Sequence, residues 1–311
     1  MVKLNYEFLY VKPEDIDFTS REYLFSYPDR KALLIESIRE LGLLNPPLLY
    51  PSEDKLCIIS GEGRIQASLE LGWKSIPALV FKEHLSPKEL LLISLETNLW
   101  RGLNLVEKAL FISKARAIFE LREILAILPK LGLSPHPHWI FYLEKVSSLE
   151  DPFKRLLVEE RLNPKVVDIL VKLEWEERRE FLEVLEKINL TFSEQREVLQ
   201  ALVDFQKKEG LKGLLPKKLK ETLQEEDPTT RKRTFLEILN QLRYPSYYPK
   251  QKAIEKLKRH FQGKGINIDF IPYLEKREVT VNFKAKNPQE LEAILEFLRH
   301  EGEGLFRVFE G

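Results

Sequence analysis

The feature that most constrains this sequence is a short glycine-containing loop between an apolar run and a helical segment. The run Leu56–Ser60, apolar up to its last residue, predicts a buried strand. The loop Ser60-Gly61-Glu62-Gly63-Arg64 follows, and a helix is predicted over about 63–71. Strand, glycine turn and helix in this order present backbone N–H groups and a positive dipole end to an anion. The loop is therefore a candidate phosphate cradle, although such a turn is more often only a tight connection.

Composition limits the classes of function that remain open. The chain has 311 residues, enough for two or three domains. Lys+Arg and Asp+Glu both number 49, so nucleic-acid binding would have to come from local basic clusters. The single cysteine, Cys57, excludes an internal disulfide and a multi-cysteine metal site. No signal peptide or membrane-spanning window is visible, which predicts a cytoplasmic protein.

The hydrophobic pattern predicts an α+β, multidomain chain. In the first part, strands and helices alternate, with predicted elements at 8–18, 29–42, Leu48–Tyr50, Leu56–Ser60, 63–71, Ser75–Phe81, 87–100 and 104–119. From about 105 to 205 the pattern is helical, and several helices are predicted to begin at a Ser-Pro, Asp-Pro or Asn-Pro pair, the first at Ser134-Pro135. The last sixty or so residues predict an α-β-β-α module with elements at 249–262, Ile266–Ile271, Val279–Phe283 and 288–299.

Four domains are predicted from these shifts in pattern. They are an α/β domain at 1–104 that carries the loop, a helical domain at 105–206, a linker and helix at 207–247, and a C-terminal module at 248–311. The stretch 207–228 is rich in Lys and Glu and holds Gly210, Gly213 and Pro216, which favours a weakly structured spacer. Two strands are thin for an independent core, so we expect the C-terminal module to dimerise.

Several motifs surround the loop in a fixed order. Residues 38–47 read IRELGLLNPP, the SGEGR loop follows, and Leu71-Gly72-Trp73, Ile76–Val80, Asn98–Arg101 and Leu103–Ala109 come later. This series resembles the ParB/Spo0J (ParB/RepB/Spo0J) family of DNA-partition proteins. In that family a helix ending GxxQP, a loop GERRxRA and a later ENxxR surround bound CTP and its magnesium. The resemblance rests on motifs up to about residue 120 and on domain order beyond it.

The resemblance implies a fold, a function and a set of partners. The fold is a ParB/sulfiredoxin-like N-terminal α/β nucleotide-binding domain, an all-α middle domain with a helix-turn-helix, and a small C-terminal α-β-β-α dimerisation domain. The function is a homodimeric DNA clamp of the chromosome or plasmid partition type, regulated by CTP with magnesium and associated with the nucleoid. The fold is predicted to begin almost at Val2, without a basic tail, so the residues do not support a partition ATPase as partner.

Position by position, the resemblance also implies a nucleotide-binding set. Its members are Arg21, Asn45, Gly61, Glu62, Gly63, Arg64, Asn98 and Arg101, with Asn98 on the magnesium side and Glu62 as the candidate catalytic carboxylate. The sequence departs from the family pattern where Gly63 and Gln66 replace loop arginines and Thr97 replaces the metal-side glutamate. A hydroxyl is a poorer magnesium ligand than a carboxylate. These departures imply at most a weak CTPase.

Two regions are candidates for DNA contact. The first is a helix-turn-helix with Leu121–Ile127 as first helix, Gly132 in the turn, and a second helix offering His136, His138, Tyr142 and Lys145. A helical pair kept only for packing would show the same spacing. The second is a basic cluster formed by Lys250, Lys252, Lys256, Lys258, Arg259 and Lys264. It predicts salt-sensitive, sequence-independent phosphate contacts, or else a solvated face that keeps the chain soluble.

Two other functions stay open at this point. A small-molecule kinase on the same fold would need a carboxylate base near the loop, which Glu62 could supply. The helical middle and the dimerising end argue against it, since a metabolite kinase has no evident use for them. A degenerate regulatory relative, without nucleotide turnover, is favoured by the missing arginines and the missing metal glutamate.

Overall fold

The computed structural model describes residues 5–245 and 247–310, without the side chains of Tyr248, Pro249 and Lys252. These residues divide into two compact units, unit 1 up to residue 174 and unit 2 from residue 175. The division into four domains at 104, 206 and 247 stays a prediction. Within the described ranges, none of the helices has the length and apolar character needed to cross a membrane.

Unit 1 combines a mixed sheet with a series of helices, in agreement with the predicted α+β class. Its strands are β1 Tyr6–Val11, β2 Ile16–Asp17, β3 Leu48–Ser52, β4 Lys55–Ser60 and β5 Ile76–Phe81. Its helices are α1 Lys31–Leu41, α2 Glu62–Glu70, α3 Pro87–Leu99, α4 Leu105–Ile118, α5 Leu121–Ile127, α6 Pro137–Ser148, α7 Asp151–Val158 and α8 Val167–Leu170.

The sheet has the strand order β1-β5-β3-β4-β2. Antiparallel pairs join β1 to β5 and β3 to β4, whereas β2 runs parallel to β4 and β3 runs parallel to β5. The register places Leu49 opposite Ile58 and Leu48 opposite Leu79. Because β4 has a neighbour on each side, the loop that follows Ser60 leaves the sheet from a fixed point.

One face of this sheet forms a core against α2. Leu49, Ile58, Ile76 and Ala78 are all fully or almost fully buried, and they pack with Ile65 of α2. Side chains alternate along a strand, so the neighbours Cys57 and Ile59 of β4 face the opposite side, where α3 packs. The apolar run of β4 is therefore explained by burial on both of its faces.

The helical part of unit 1 is organised around α4, which packs against α6 and α7. The turn before α6 contains Gly132 with φ +72°, a left-handed conformation that suits glycine. The predicted Ser134-Pro135 start of the second helix is wrong. The helix begins instead at Pro137, because the His136 side chain accepts a hydrogen bond from the His138 N–H and supplies the cap. The predicted Asn163 cap is confirmed by its bond from the Lys165 N–H.

Unit 2 contains four helices followed by the α-β-β-α module. The elements are α9 Trp175–Lys187, α10 Phe192–Glu209, α11 Lys217–Thr222, α12 Pro228–Arg243, α13 Tyr248–Gln262, β6 Ile266–Phe270, β7 Val279–Phe283 and α14 Pro288–Phe306. The two strands are antiparallel, with Ile268 opposite Val281. The module is confirmed, although α14 continues seven residues beyond the predicted end at 299, because Leu305 adds a further buried contact to the core around Phe261.

The segment 207–228 is packed, which corrects its interpretation as a weakly structured spacer. Leu214, Leu219 and Leu223 are buried, and α11 packs against α12. Glu180 of α9 holds the segment from outside, accepting hydrogen bonds from the Leu215 N–H at 2.7 Å and from Lys220 Nζ at 2.6 Å. The prediction was wrong because it weighed the abundant Lys and Glu residues, whereas the leucines between them form the packing contacts.

This packing can be tested by replacing Leu219 with alanine. We expect Leu219→Ala to lower the free energy of unfolding by about 2–5 kcal/mol, because it opens a cavity at a fully buried site. The neighbouring exposed variant Lys218→Ala is the control and should change it by no more than about 0.5 kcal/mol. Urea denaturation of the full chain measures both. Equal stability of the two variants would contradict the packed arrangement.

Candidate functional site

The loop after β4 depends on the absence of a side chain at Gly61. Its φ is +96°, and a Cβ there would lie 2.9 Å from Pro47 Cβ and 2.9 Å from Arg64 Nη2. Glycine therefore satisfies two demands, a left-handed backbone and the close approach of the Pro47 segment. Helix α2 begins at the next residue, and the Arg64 N–H donates to the Gly61 carbonyl oxygen at 3.0 Å, so the N–H groups of Glu62 and Gly63 are the ones without a partner within the helix. The loop thus presents the positive end of α2 beside the segment 45–47.

Arg64 holds this approach in place. Its Nη1 donates to the carbonyl oxygen of Asn45 at 2.6 Å and lies 3.4 Å from that of Pro46. Burial lowers the pKa of the Arg64 guanidinium. The arginine therefore ties the 45–46 backbone to α2, and in this conformation its charge faces carbonyl oxygens. The Asn45 side chain is exposed beside it. A direct phosphate contact by Arg64 or Asn45 stays a prediction.

Glu62 is held by two neighbours. Arg21 forms a forked ion pair with it, Nη1 to Oε1 at 2.6 Å and Nη2 to Oε2 at 3.0 Å. Gln66 Nε2 donates to the same Oε1 at 3.2 Å. The Arg21 side chain remains 60% exposed, whereas that of Glu62 is only 17% exposed. Arg21 is therefore the member of the pair that can turn toward a ligand, and Glu62 is not a free general base in this arrangement.

Lys114 of α4 supports the Arg21 segment, a role that the sequence did not reveal. Its Nζ donates to the backbone carbonyl oxygen of Arg21 at 2.6 Å, and burial lowers its pKa. The contact joins residues 93 positions apart in the chain. No local pattern around Lys114 signals it, because the partner is a backbone atom from a distant segment.

Gly63 lies close to Leu34 of α1. A Cβ at this position would come within 3.1 Å of Leu34 Cδ1, so a larger side chain requires Leu34 to move. The resemblance places a loop arginine here, and this chain has instead a close contact between α1 and the first turn of α2. Gly63 is thus compatible with the closely packed α1, and it contributes no charge to a ligand.

Asn98 and Arg101 belong to a network around a buried carboxylate. Arg101 pairs with Glu107 through Nη1 to Oε2 at 2.9 Å and Nη2 to Oε1 at 2.7 Å. Its Nε donates to Asn98 Oδ1 at 3.1 Å. Glu107 is fully buried, and its carboxylate also accepts from the Tyr27 N–H at 3.1 Å. Arg30 approaches the same carboxylate at 3.7 Å. The structure therefore brings Asn98 and Arg101 together, as predicted. Arg101, however, is paired with Glu107.

Glu107 was not among the predicted site residues, although a local signal was present. Asn104 and Glu107 form a capping box at the start of α4, in which each side chain accepts from the other's backbone N–H, at 2.9 and 3.1 Å. The Asn-x-x-Glu spacing could have been recognised from the sequence. The pairing of the same carboxylate with the arginine after α3 could not have been recognised in this way, because it depends on the turn between the two helices.

The donor set near Asn98 does not fit a magnesium ion held by the protein. Thr97 Oγ1 donates to the Ser94 carbonyl oxygen, and Glu96 pairs with Lys130 on the helical side. Asn98 Oδ1 accepts two bonds from Arg101. Hard cations need several available oxygen ligands. Across residues 5–245 and 247–310, no group of three His, Cys, Asp or Glu side chains is arranged to hold a metal. The assignment of Asn98 to magnesium stays a prediction without geometric support.

The predicted DNA residues of α6 have mixed environments. Tyr142 donates to the Pro164 carbonyl oxygen at 3.0 Å, and burial raises its pKa to about 12. Lys145 pairs with Asp168 at 2.7 Å. These two side chains are engaged within the unit. His136 and His138 are exposed at the start of the helix, with their Nδ1 atoms 2.7 Å apart.

The basic cluster of the C-terminal module has an available face. Lys256 and Arg259 are exposed on α13. Among the described side chains, Arg259 has a long ion-pair contact of 3.8 Å with Glu255. Lys258 instead pairs with Asp269 at 3.3 Å, Lys264 lies over the Phe297 ring, and Lys250 is half-buried. The side chain of Lys252 lies outside the described residues. The exposed cations are suited to phosphate contacts.

Comparison with known proteins finds a family model that matches the region around the loop. Residues 11–99 match the family model of the ParB N-terminal domain. The chromosome-partitioning protein Spo0J of Thermus thermophilus is 42% identical over 77 residues, which are 24% of this chain and 28% of that protein. The nucleoid occlusion protein of Bacillus cereus (strain AH187) is 30% identical over 154 residues, 49% of this chain and 51% of that protein.

The matched regions span about half the length of these relatives or less. Among solved structures, the C-terminally truncated chromosome-partitioning protein ParB of Caulobacter crescentus, complexed with CTP-γ-S, is similar at 21% identity and a TM-score of 0.28. That alignment covers 58% of this chain and 99% of the other. The family match confirms the resemblance that the motifs predicted.

The buried network can be tested at Glu107. We expect Glu107→Gln to lower the free energy of unfolding by about 3–5 kcal/mol, because the partly buried Arg101 loses its counter-charge. Glu159→Gln removes the carboxylate of an exposed pair with Arg161 and should cost no more than about 1 kcal/mol. Urea denaturation measures the free energy of unfolding of both variants. Similar losses would show that the buried pair stabilises the fold no more than the exposed pair does. Adding Arg101→Met to Glu107→Gln should recover part of the loss.

Proposed function

We propose that the chain is a ParB-like DNA-binding protein of the partition or nucleoid-occlusion type, from the premise that residues 11–99 match the family model of the ParB N-terminal domain. Its N-terminal domain binds CTP, its C-terminal module makes a homodimer, and nucleotide binding controls a clamp around DNA at the nucleoid. The observation that carries the proposal is the loop at Gly61, which lies between a buried strand and the start of α2 within the matched region.

Backbone groups and one exposed arginine would recognise a triphosphate at this loop. The first turn of α2 offers N–H donors and the positive end of its dipole, which together favour an anion. Arg21 is exposed and adjacent, and turning from Glu62 would bring its guanidinium to a phosphate. CTP would supply the charge that these groups recognise, and Asn45 beside the loop is available for a further contact.

We do not extend the proposal to efficient hydrolysis. Glu62 is engaged by Arg21 and Gln66, and Thr97 stands where the family has a carboxylate. The same contacts weigh against a small-molecule kinase, which would need Glu62 as a free base. The geometry does support a second candidate, a regulatory relative that binds no nucleotide, because Arg64 and Arg101 both have protein partners.

The dimer is proposed from the exposed apolar groups of the C-terminal module. Its sheet has only two strands, β6 and β7, and Leu291 and Leu295 on α14 are about two-fifths exposed. Leucines spaced by four residues share one face of a helix. A second copy of the module would cover that face. The basic face of α13 would then be present twice, which favours contact with a duplex.

Nucleotide binding is tested by calorimetric titration of the full chain with CTP, ATP and GTP, with and without Mg²⁺. We expect the tightest binding with CTP. Arg21→Ala should weaken it about tenfold or more, because a hydrogen bond to a charged group contributes about 1.5–3 kcal/mol. Lys12→Ala, an exposed cation of the same unit that is paired with Glu14, is the control and should bind as the unchanged chain does. Absence of heat with every nucleotide would favour the regulatory relative.

DNA contact is tested by charge reversal on α13. We expect Lys256→Glu with Arg259→Glu to weaken binding to a nonspecific duplex and to lower the slope of log K against log salt by about 2, at about 0.9 for each lost phosphate contact. The matched control reverses two exposed lysines after β7, Lys284→Glu with Lys286→Glu. Fluorescence anisotropy over a salt series measures the slope. Equal slopes for the two double variants would show that α13 does not contact the DNA phosphates.

A further inference from the structure

A row of exposed aromatic side chains lies on β1, an edge strand of the unit 1 sheet. Tyr6, Phe8 and Tyr10 are 51%, 52% and 70% exposed, and the rings of Phe8 and Tyr10 meet edge to face at 5.7 Å. Alternation along the strand puts these three on one face, while Val11 faces the core. An open edge strand with apolar side chains is a template for pairing with another strand.

The backbone of β1 offers its free groups at the same three residues. Lys82 donates its N–H to the Asn5 carbonyl oxygen at 3.0 Å, in continuation of the antiparallel register with β5. In an antiparallel ladder, residues whose N–H and C=O face one neighbour alternate with residues whose groups face away. The outward groups therefore belong to Tyr6, Phe8 and Tyr10. Among the described strands, β5 alone pairs with β1.

We propose that β1 pairs with β1 of a second copy of this chain, antiparallel and centred on Phe8. A two-fold axis at this residue sets Phe8 opposite Phe8, and Tyr6 opposite Tyr10 of the other copy. Such an isologous contact needs a pattern that reads alike in both directions, and Tyr6-Glu7-Phe8-Leu9-Tyr10 places its aromatic residues symmetrically. All three pairs then exchange backbone hydrogen bonds, and their rings contact across the strands.

Charge favours a second copy over a nucleic-acid strand as the occupant. Stacking of bases on an aromatic row is accompanied by cations that follow the phosphates. The cations beside β1 are already paired, Lys82 with Glu7 at 2.9 Å and Lys12 with Glu14 at 3.7 Å. A foreign strand could use the same backbone groups, but the symmetry of the aromatic row would serve no purpose for it. The pairing is separate from the dimer proposed for unit 2 and does not depend on it.

Cysteine cross-linking tests both the contact and its register in the full chain, with Cys57→Ser removing the native thiol. Paired residues across such strands lie within the Cα separations that a disulfide accepts, about 4.4–6.8 Å. We expect Phe8→Cys to form a disulfide dimer on oxidation. Tyr6→Cys and Tyr10→Cys should each cross-link poorly alone and well when mixed in equal amounts. Equal yields at all three positions, or none at position 8, would overturn the two-fold register.

Sedimentation of the full chain provides an independent measurement. At high concentration, Phe8→Lys should lower the weight-average mass by at least about twofold relative to the unchanged chain, since one two-fold contact is lost. Phe141→Lys is the matched control, because Phe141 is 53% exposed on α6, and it should leave the mass unchanged. Near-UV circular dichroism checks that Phe8→Lys is folded, and if it is not, the cysteine series decides. Equal masses for Phe8→Lys and the unchanged chain would overturn the proposal.

Discussion

A buried carboxylate on α4, that of Glu107, holds separate segments of unit 1 together. Glu107 has no exposed surface, and an isolated charge at such a position would be very costly. Its two oxygens are satisfied by Arg101 from the end of α3, by the Asn104 N–H at the start of α4, and by the Tyr27 N–H before α1. The positions of three separate segments are therefore fixed by the need to pair one charge.

The partners of the arginine side chains decide which cations remain available for a ligand. Arg101 is committed to Glu107, and Arg64 is committed to the carbonyl oxygens of residues 45 and 46. Arg21, although paired with Glu62, keeps most of its side chain exposed. The loop is consequently a site in which backbone N–H groups and one arginine would carry most of the attraction for a phosphate. This is less charge than the family motif provides, and it is the physical reason for separating nucleotide binding from hydrolysis.

Open edges and exposed apolar faces recur in both units. In unit 1 the edge strand β1 exposes three aromatic residues, and in unit 2 the helix α14 exposes Leu291 and Leu295. Each feature is unfavourable in a monomer at high concentration, and the symmetric contacts proposed above would cover both. A chain with one such contact in each unit could form assemblies larger than a dimer.

The sequence by itself determined most of the elements and the family resemblance. The apolar run of β4, the glycine at 61 and the motif order predicted the loop and its resemblance, because strand burial and left-handed turns leave local signals. The C-terminal module was predicted for the same reason, from alternation and helical spacing. The tertiary structure alone decided the partners of the charges. Arg64 and Lys114 bind backbone carbonyl oxygens 19 and 93 positions away, and Arg101 binds Glu107 across the turn between α3 and α4. No spacing rule predicts which carbonyl or carboxylate a long side chain will reach.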